Sequence, residues 1–315
     1  MPSVAVVGGR GHTGSELLPL LFAHPEFELV AVGSRSSAGE RVAELVGGLE
    51  DCHLKFSDIN PDTLAAHPAD AYVLAMPNGE AAKFVAAIDE VSPDSVVVDL
   101  SADYRFDDDW VYGQPERFAE NIAGGKRISN PGCYATGIQL ALAPIVSRLS
   151  AVPVAFGVSG YSGAGVTPSR RNDPEALHDN LMAYTLADHV HEREVTRHLD
   201  HPVRFLPHVA AFFRGINVTV AAELGEPVDT TELQAIYERA WQGCELISVH
   251  AEIPEVAQIQ GHHGVKIGGF KVSEIRPTSI AVVCVLDNLL KGAATQAVQN
   301  LNLAFGLDHA TGIPV

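Results

Sequence analysis

One cysteine stands where a nucleophile could be activated. Cys133 follows Asn130-Pro131-Gly132, which breaks a strand-like run, and opens a run that is typical of a helix, "CYATGIQLALAPI". The N–H groups and the dipole at a helix N-terminus stabilise an anion, and the thiolate is the nucleophilic form of cysteine. The remaining cysteines are interpreted as packed side chains; they are Cys52, Cys244 and Cys284. Cys133 is therefore predicted to be a catalytic thiolate.

A nucleophilic thiolate usually needs a partner that moves protons, and the chain has 14 histidines from which to choose. His208 follows Pro207 in a strand-like segment. Four other histidines cluster near a predicted helix and could suggest a metal site; they are His189, His191, His198 and His201. No cysteine or carboxylate completes a recognisable zinc pattern with them, so we expect a solvated helix face and no metal.

A glycine motif near the N-terminus predicts a dinucleotide site. The stretch "VVGGRGHTGSELL" carries G-x-G-x-x-G at Gly9, Gly11 and Gly14, after a strand and at the opening of a helix. Glycines let the backbone turn tightly and approach a pyrophosphate, to which the helix N-terminus offers N–H groups. A glycine turn that closes a βα unit without a ligand is the alternative.

The end of the second strand indicates which nicotinamide nucleotide is bound. An NAD site usually has an acidic residue about 20 residues past the glycines, where it binds the ribose hydroxyls. This chain has Ser34-Arg35-Ser36 there, with no carboxylate until Glu40. A guanidinium and hydroxyls suit a 2′-phosphate, so NADP is the expected cofactor. A solvated loop arginine is the alternative.

The pattern of elements predicts two domains. Short valine-rich strands alternate with helices up to Cys133, which is the βαβ pattern of a Rossmann-type α/β domain with a parallel sheet. Longer strand-like runs then predict an α+β domain with a mixed, largely antiparallel sheet, and the chain ends in a helix before Gly306. We expect residues 1–133 with 287–315 to form the NADP-binding domain, and residues 134–286 to form the substrate and dimerisation domain.

Composition excludes some classes of function. The 315 residues have a net charge of −18, which argues against a nucleic-acid surface. No apolar run is long enough to span a membrane, and no secretion signal precedes the first strand. The four cysteines have neither a zinc spacing nor that of a disulfide framework. A cytoplasmic enzyme that acts on a small molecule is expected.

Several motifs, spread in order along the chain, carry a resemblance to a known family. They are "GGRGHTGSELL", "DLSADYR", "NPGCYATG", "SGYSGAG", "FLPHVAAFFRGI" and "DNLLKGAATQAVQNLNLAFG". Through them the chain resembles the N-acetyl-γ-glutamyl-phosphate reductases of arginine biosynthesis, which are relatives of aspartate-semialdehyde dehydrogenase. The resemblance implies a homodimer or homotetramer that reduces an acyl phosphate with NADPH. It also implies that Cys133 forms a thioester and that His208 is the acid/base residue.

The same resemblance extends the set of candidate residues. Arg105 and Arg214 are candidates for holding phosphate or carboxylate, or else for structural ion pairs. Other candidate substrate contacts are Ser159, His189 and His191. Further candidate cofactor contacts are His12, Thr13, Pro77, Asn78, Ser162, Gly163 and Asn288.

Some positions depart from the family pattern. His12 stands where tyrosine is common, Val166 where a basic residue often follows "SGAG", and Arg193 where proline is common. His262-His263 replaces a Thr/Ser-Asn pair. A carrier-linked aminoadipyl phosphate or aspartyl phosphate therefore stays open as the substrate. A thiol hydrolase, or an NADP-sensing regulator with an inert Cys133, is the alternative from another class.

Overall fold

The computed structural model describes residues 1–314, which divide into two compact units. The first unit consists of Met1–Gly132 together with Ala293–Pro314, and the second consists of Cys133–Gly292. The first unit is thus built from both ends of the described chain, and Cys133 is the residue with which the second unit begins.

Fourteen strands occur in residues 1–314. In chain order they are β1 Ser3–Val7, β2 Glu28–Gly33, β3 Phe56–Ser57, β4 Ala71–Leu74, β5 Val96–Asp99, β6 Val111–Tyr112, β7 Arg127–Ser129, β8 Val154–Gly160, β9 Leu181–Ala183, β10 Arg204–Ala210, β11 Ile216–Glu223, β12 Ile247–Val249, β13 Val265–Val272 and β14 Ser279–Leu286.

Nine α-helices occur in the same described range. They are α1 His12–Phe22, α2 Val42–Leu45, α3 Ala81–Val91, α4 Pro115–Ile122, α5 Cys133–Leu142, α6 Pro174–Leu177, α7 Val190–Leu199, α8 Thr230–Ala240 and α9 Thr295–Ala304. Short 3₁₀ turns include Tyr161–Ala164 and Arg170–Asn172, and a π-helical turn, Leu290–Ala294, precedes α9.

The first unit contains an all-parallel sheet in the order β3-β2-β1-β4-β5-β7-β6. Its central strands consist mainly of buried valine, alanine and leucine, as expected where helices cover both faces. The strand order reverses between β1 and β4, and such a switch point opens a crevice at the carboxyl ends of the strands. The predicted Rossmann-type domain is confirmed.

The second unit contains a mixed sheet in the order β12-β13-β14-β11-β8-β10-β9. Four of its six pairings are antiparallel, while β12 with β13 and β8 with β10 are parallel. The predicted mixed, largely antiparallel sheet is confirmed. One face of this sheet packs with α5, α7 and α8 in a single hydrophobic core.

Helix α5 is the central element of that core. Every residue after Cys133 in it is buried, in agreement with a sequence that is mostly apolar. Ile138 and Leu142 share the core with Val218 of β11 and Leu286 of β14. The first residue of α5 is therefore held by a helix that is embedded along its whole length.

The last helix completes the first unit. It packs against α1, α4 and β5, and it buries polar side chains that bind the backbone. Asn300 donates through Nδ2 to Gly113 O at 2.9 Å, and Asn302 donates to Thr311 O at 2.8 Å. Within residues 1–314 no helix combines the length and the apolar character needed to cross a membrane.

Candidate active site

The glycine loop lies between the end of β1 and the start of α1. Gly8 N and Gly9 N both donate to Gly33 O, at 3.1 and 2.9 Å, and Gly11 is the residue that precedes α1. Gly8 has φ +89°, in the left-handed region, so the residue that most needs to be glycine lies one position before the predicted motif. The loop therefore has the strand–turn–helix geometry of a dinucleotide site.

The three motif glycines differ in what constrains them. A Cβ on Gly9 would meet Val32 Cγ1 at 2.5 Å, and a Cβ on Gly14 would meet Gly9 O at 2.6 Å. A Cβ on Gly11 would meet nothing nearer than Gly8 O at 3.9 Å. The fold itself therefore requires Gly9 and Gly14, whereas the space at Gly11 fits a pyrophosphate that approaches the backbone.

The other predicted cofactor residues of the first unit lie at the same edge of the sheet. Ser34 follows β2, where its N–H donates to Ser57 O at 2.9 Å, and its Oγ lies 3.4 Å from that of Ser36. Arg35 between them is exposed. Pro77 and Asn78 follow β4, and Asn78 Oδ1 accepts the N–H of Ala102 at 3.0 Å.

His12 and Thr13 form the first turn of α1. Burial lowers the pKa of His12, so its ring is neutral at pH 7. A neutral ring next to the glycine loop adds no positive charge for a phosphate.

Arg105 is a buried residue that ties two loops of the first unit together. Its Nε donates to Asn130 O and its Nη2 to Leu100 O, both at 2.9 Å. Two of its N–H groups are thus committed to backbone carbonyls.

Cys133 is half-buried and packs against the core of the second unit. Gly292, in the π-helical turn before α9, lies against it: a Cβ on Gly292 would be 2.7 Å from Cys133 Cβ. Gly292 N donates to Asp287 O at 2.9 Å. This close approach of backbone fixes one side of the cysteine.

Aromatic and imidazole rings surround the start of α5. Tyr134 lies 4.8 Å from Phe205 and 6.1 Å from His191, between ring centroids. His189 lies 4.9 Å from His191, 5.2 Å from Phe205 and 5.7 Å from Tyr184. We call Tyr134, Tyr184, His189, His191 and Phe205 the ring cluster.

Cys133 interacts electrostatically with the ring cluster. The pKa of Tyr184 is raised, first by burial and then by Cys133, and the pKa of Tyr134 is raised by burial with a smaller contribution from Cys133. Burial, followed by the positive charge of Arg171, lowers the pKa of His189 to about 4. His189 is therefore neutral at pH 7.

Hydrogen bonding assigns the tautomer of His189. Its Nδ1 accepts the N–H of His191 at 3.1 Å and so caps α7. In the neutral ring the proton must then be on Nε2. His189 thus offers an N–H donor.

The structure places His208 differently from the sequence-based expectation. Along β10 the side chains alternate: Phe205 and Val209 are both buried, and Phe205 belongs to the core that contains Tyr134. His208 points to the opposite face, where its ring lies 4.4 Å from that of the half-exposed Phe156. Its Nδ1 is 3.1 Å from Leu206 O. The His208 ring is therefore not on the face that carries the ring cluster, and the expectation that it meets Cys133 is corrected.

Arg214 is engaged in a buried ion pair. Its Nε donates to Asp287 Oδ2 at 2.6 Å and its Nη2 to Asp287 Oδ1 at 3.2 Å. Asp287 is fully buried. Of the two alternatives for Arg214, the structure supports the ion pair.

The remaining predicted residues of the second unit lie together. Asn288 donates to Ser162 Oγ at 2.9 Å and accepts the N–H of Gly215 at 2.7 Å. A Cβ on Gly163 would be 3.5 Å from Ser159 Oγ, and Ser159 hydrogen-bonds Tyr134, which moderates the rise in the pKa of Tyr134. A cluster of neighbouring residues next to the ring cluster is thus formed by Ser159, Ser162, Gly163 and Asn288. In residues 1–314, no group of three or more His, Cys, Asp or Glu side chains is arranged to hold a metal ion.

Both units match models of known protein families. A family model described as the semialdehyde dehydrogenase NAD binding domain matches residues 3–125, and one described as the semialdehyde dehydrogenase dimerisation domain matches residues 133–288. N-acetyl-gamma-glutamyl-phosphate reductases of Xanthomonas oryzae and Stenotrophomonas maltophilia are 52% and 49% identical to the chain, over 99% of it and 98% of their own lengths.

Solved structures match the fold. Aspartate semialdehyde dehydrogenase II of Vibrio cholerae has a TM-score of 0.78 at 19% identity, over 97% of this chain and 98% of that one. The Candida albicans enzyme, solved with NADP, has a TM-score of 0.72 at 16% identity, over 96% and 99%.

The different constraints on the glycines give a prediction. Gly11→Ala should leave the melting temperature unchanged but weaken NADPH binding by about 5- to 100-fold, the range expected from crowding a packed contact. Gly14→Ala is the matched control: it should lower the melting temperature because its Cβ would clash with the backbone. Thermal unfolding and NADPH titration measure the two effects. Unchanged NADPH affinity in Gly11→Ala would show that the pyrophosphate does not approach there.

Proposed function

The chain belongs to the family of N-acetyl-gamma-glutamyl-phosphate reductases, and we propose that it reduces N-acetyl-γ-glutamyl phosphate to the semialdehyde through a thioester on Cys133. Relatives about half identical over the full length support this substrate. The observation that carries the mechanism is the position of Cys133 at the first residue of the buried helix α5. There the helix N-terminus favours a thiolate.

The proposed reaction starts with attack by Cys133. Its sulfur bonds to the acyl carbon, the bond from that carbon to the phosphate oxygen breaks, and phosphate leaves. Bound NADPH would supply the hydride that reduces the thioester. The resulting hemithioacetal oxygen loses its proton as the carbon–sulfur bond breaks, which releases the aldehyde and restores Cys133.

We assign the proton transfers to His189 and His191 in place of His208. His189 is buried, neutral at pH 7 and carries its proton on Nε2, so this N–H can donate a hydrogen bond that stabilises the substrate oxygen as negative charge develops there. His191, with its ring 4.9 Å away, is the neighbour through which a proton can be exchanged.

We propose that NADPH is the preferred cofactor. The exposed Arg35, with hydroxyls of Ser34 and Ser36 on either side, offers a guanidinium to a 2′-phosphate. The pyrophosphate would lie against the glycine loop and the start of α1, which contain Gly9, Gly11, His12, Thr13 and Gly14. Pro77 and Asn78 contribute from the adjacent turn, and Ser162, Gly163 and Asn288 are proposed as contacts from the second unit.

We propose a homodimer or homotetramer in the cytoplasm. The matched dimerisation domain supports assembly, and the outer face of its sheet exposes Val154 and Phe156 at 37% each. Contact through this face would bury His208 together with Phe156. The four cysteines are thiols, as in a reducing compartment.

Cys133→Ala is expected to abolish turnover and to leave NADPH binding unchanged, because the glycine loop does not include the sulfur. Cys244→Ala, at another half-buried thiol, is the matched control and should retain activity. The assay follows phosphate-dependent reduction of NADP with N-acetylglutamate semialdehyde, alongside aspartate semialdehyde as the competing substrate. More than a few per cent of residual activity in Cys133→Ala would exclude the thioester.

His189→Asn is expected to lower turnover by about 10²- to 10⁴-fold, the usual range for general acid–base catalysis. Asparagine is a good N-cap, so the start of α7 should be retained while the imidazole is lost. His208→Asn is the control and should change the chemical step little, as measured by single-turnover kinetics at saturating substrate. The assignment fails if His208→Asn is the variant that loses activity.

Arg35→Ala is expected to weaken NADPH binding by about ten- to a hundredfold, the cost of losing charge-assisted contacts to one phosphate. NADH lacks that phosphate, so its affinity should hardly change and serves as the internal control. Fluorescence titration with each nucleotide measures both. An equal loss for NADPH and NADH would show that Arg35 does not contact the 2′-phosphate.

A further inference from the structure

We propose that Arg171 binds an oxyanion of the substrate, its phosphate or its carboxylate, next to the ring cluster. The Arg171 guanidinium lies over the ring of Tyr184, 4.8 Å from its centroid, and Tyr184 in turn contacts His189. This proposal rests on the proposed function, because it assumes that the acyl phosphate reacts at Cys133.

An anionic substrate needs positive charge at the site, and the residues expected to supply it are committed elsewhere. Arg214 is paired with the buried carboxylate of Asp287. Arg105 donates from Nε and Nη2 to backbone carbonyls. His189 is neutral, and the whole chain has a net charge of −18. Arg171 brings a full positive charge to the ring cluster.

The turn that carries Arg171 is held in a defined position. Asn172 Oδ1 accepts the N–H of Ser169 at 2.7 Å, and Asn172 Nδ2 donates to Gly165 O and Thr167 O, both at 2.8 Å. Gly165 is the last residue of the "SGAG" segment, which also contains Ser162 and Gly163. The turn thus holds Arg171, which follows Gly165 by six residues, close to this segment.

The guanidinium is placed to receive a ligand. Arg171 is exposed although its guanidinium lies on the partly buried Tyr184, and stacking on an aromatic ring leaves the N–H edge of a guanidinium available for bidentate binding of an oxyanion. The charge of Arg171 reaches both rings: it moderates the rise in the pKa of Tyr184, which burial causes, and it adds to the lowering of the pKa of His189 by burial.

The segment that presents Tyr184 and His189 has a strained backbone. Thr185, directly after Tyr184, has φ +41°, and Asp188, directly before His189, has φ +58°. Left-handed conformations of non-glycine residues concentrate at functional sites, where the surrounding structure enforces them. Tyr184, on which Arg171 lies, and its neighbour His189 are thus each adjacent to a residue with unusual backbone geometry.

The test replaces Arg171 and measures the two anions separately. In the direction of acyl-phosphate formation, phosphate and the carboxylate-bearing semialdehyde are separate substrates, each with its own KM. Arg171→Met keeps an unbranched, flexible side chain next to Tyr184 but removes the guanidinium and its charge. We expect one KM to rise by about ten- to a hundredfold, with kcat changed far less. Arg171→Lys keeps the charge and should restore part of the loss.

The outcomes are distinct. A raised KM for phosphate assigns Arg171 to the phosphate, and a raised KM for the semialdehyde assigns it to the carboxylate. Arg170→Met, in the same exposed turn, is the matched control and should change neither KM. The proposal is overturned if both KM values of Arg171→Met stay within about threefold of the parent enzyme, or if Arg170→Met has the same effect. An inactive parent enzyme would overturn the proposed function and this proposal together, whereas an active parent with unchanged KM values would overturn only this proposal.

Discussion

The buried Asp287 holds together several segments of the second unit, one of which lies against Cys133. It accepts hydrogen bonds from the guanidinium of Arg214 and from the backbone N–H groups of Gly261, Leu289 and Leu290. Its own carbonyl accepts the N–H of Gly292, whose backbone lies against Cys133. Breaking such a buried pair costs about 3–5 kcal/mol because a charge is left without a partner. The environment of the thiol thus depends on a residue that does not take part in the chemistry.

The parts of the site that local patterns determine could be predicted from the sequence. The apolar run of β1, the glycines and the start of α1 are neighbours in the chain, so periodicity and turn chemistry were sufficient to predict the dinucleotide loop. Cys133 at a helix start is local in the same way. The G-x-G-x-x-G motif does not include Gly8, although two consecutive glycines directly after a strand are a signal that one of them adopts a left-handed conformation.

The parts that depend on long-range packing could not be predicted. Alternation along β10 separates His208 from Phe205 and Val209, but which of these faces α5 covers is decided by residues some 70 positions earlier in the chain. For the same reason the sequence could not show that His189 and His191, and not His208, lie beside Phe205 and Tyr134. Arg214 and Asp287 are 73 residues apart, so a guanidinium that forms a structural ion pair looked like a ligand for phosphate.

The return of α9 to the first unit affects how the protein folds during its synthesis. The residues of the second unit are contiguous and leave the ribosome before α9 does. The first unit is complete only after α9 has been synthesised and packs against α1, α4 and β5. At about 5–20 residues per second, the interval between residues 132 and 293 is roughly 10–30 s. Throughout this interval the nascent N-terminal part of the chain exposes the surface that α9 later covers. The unit that is synthesised first is therefore the last to be completed, and chaperones have a defined period in which to protect it.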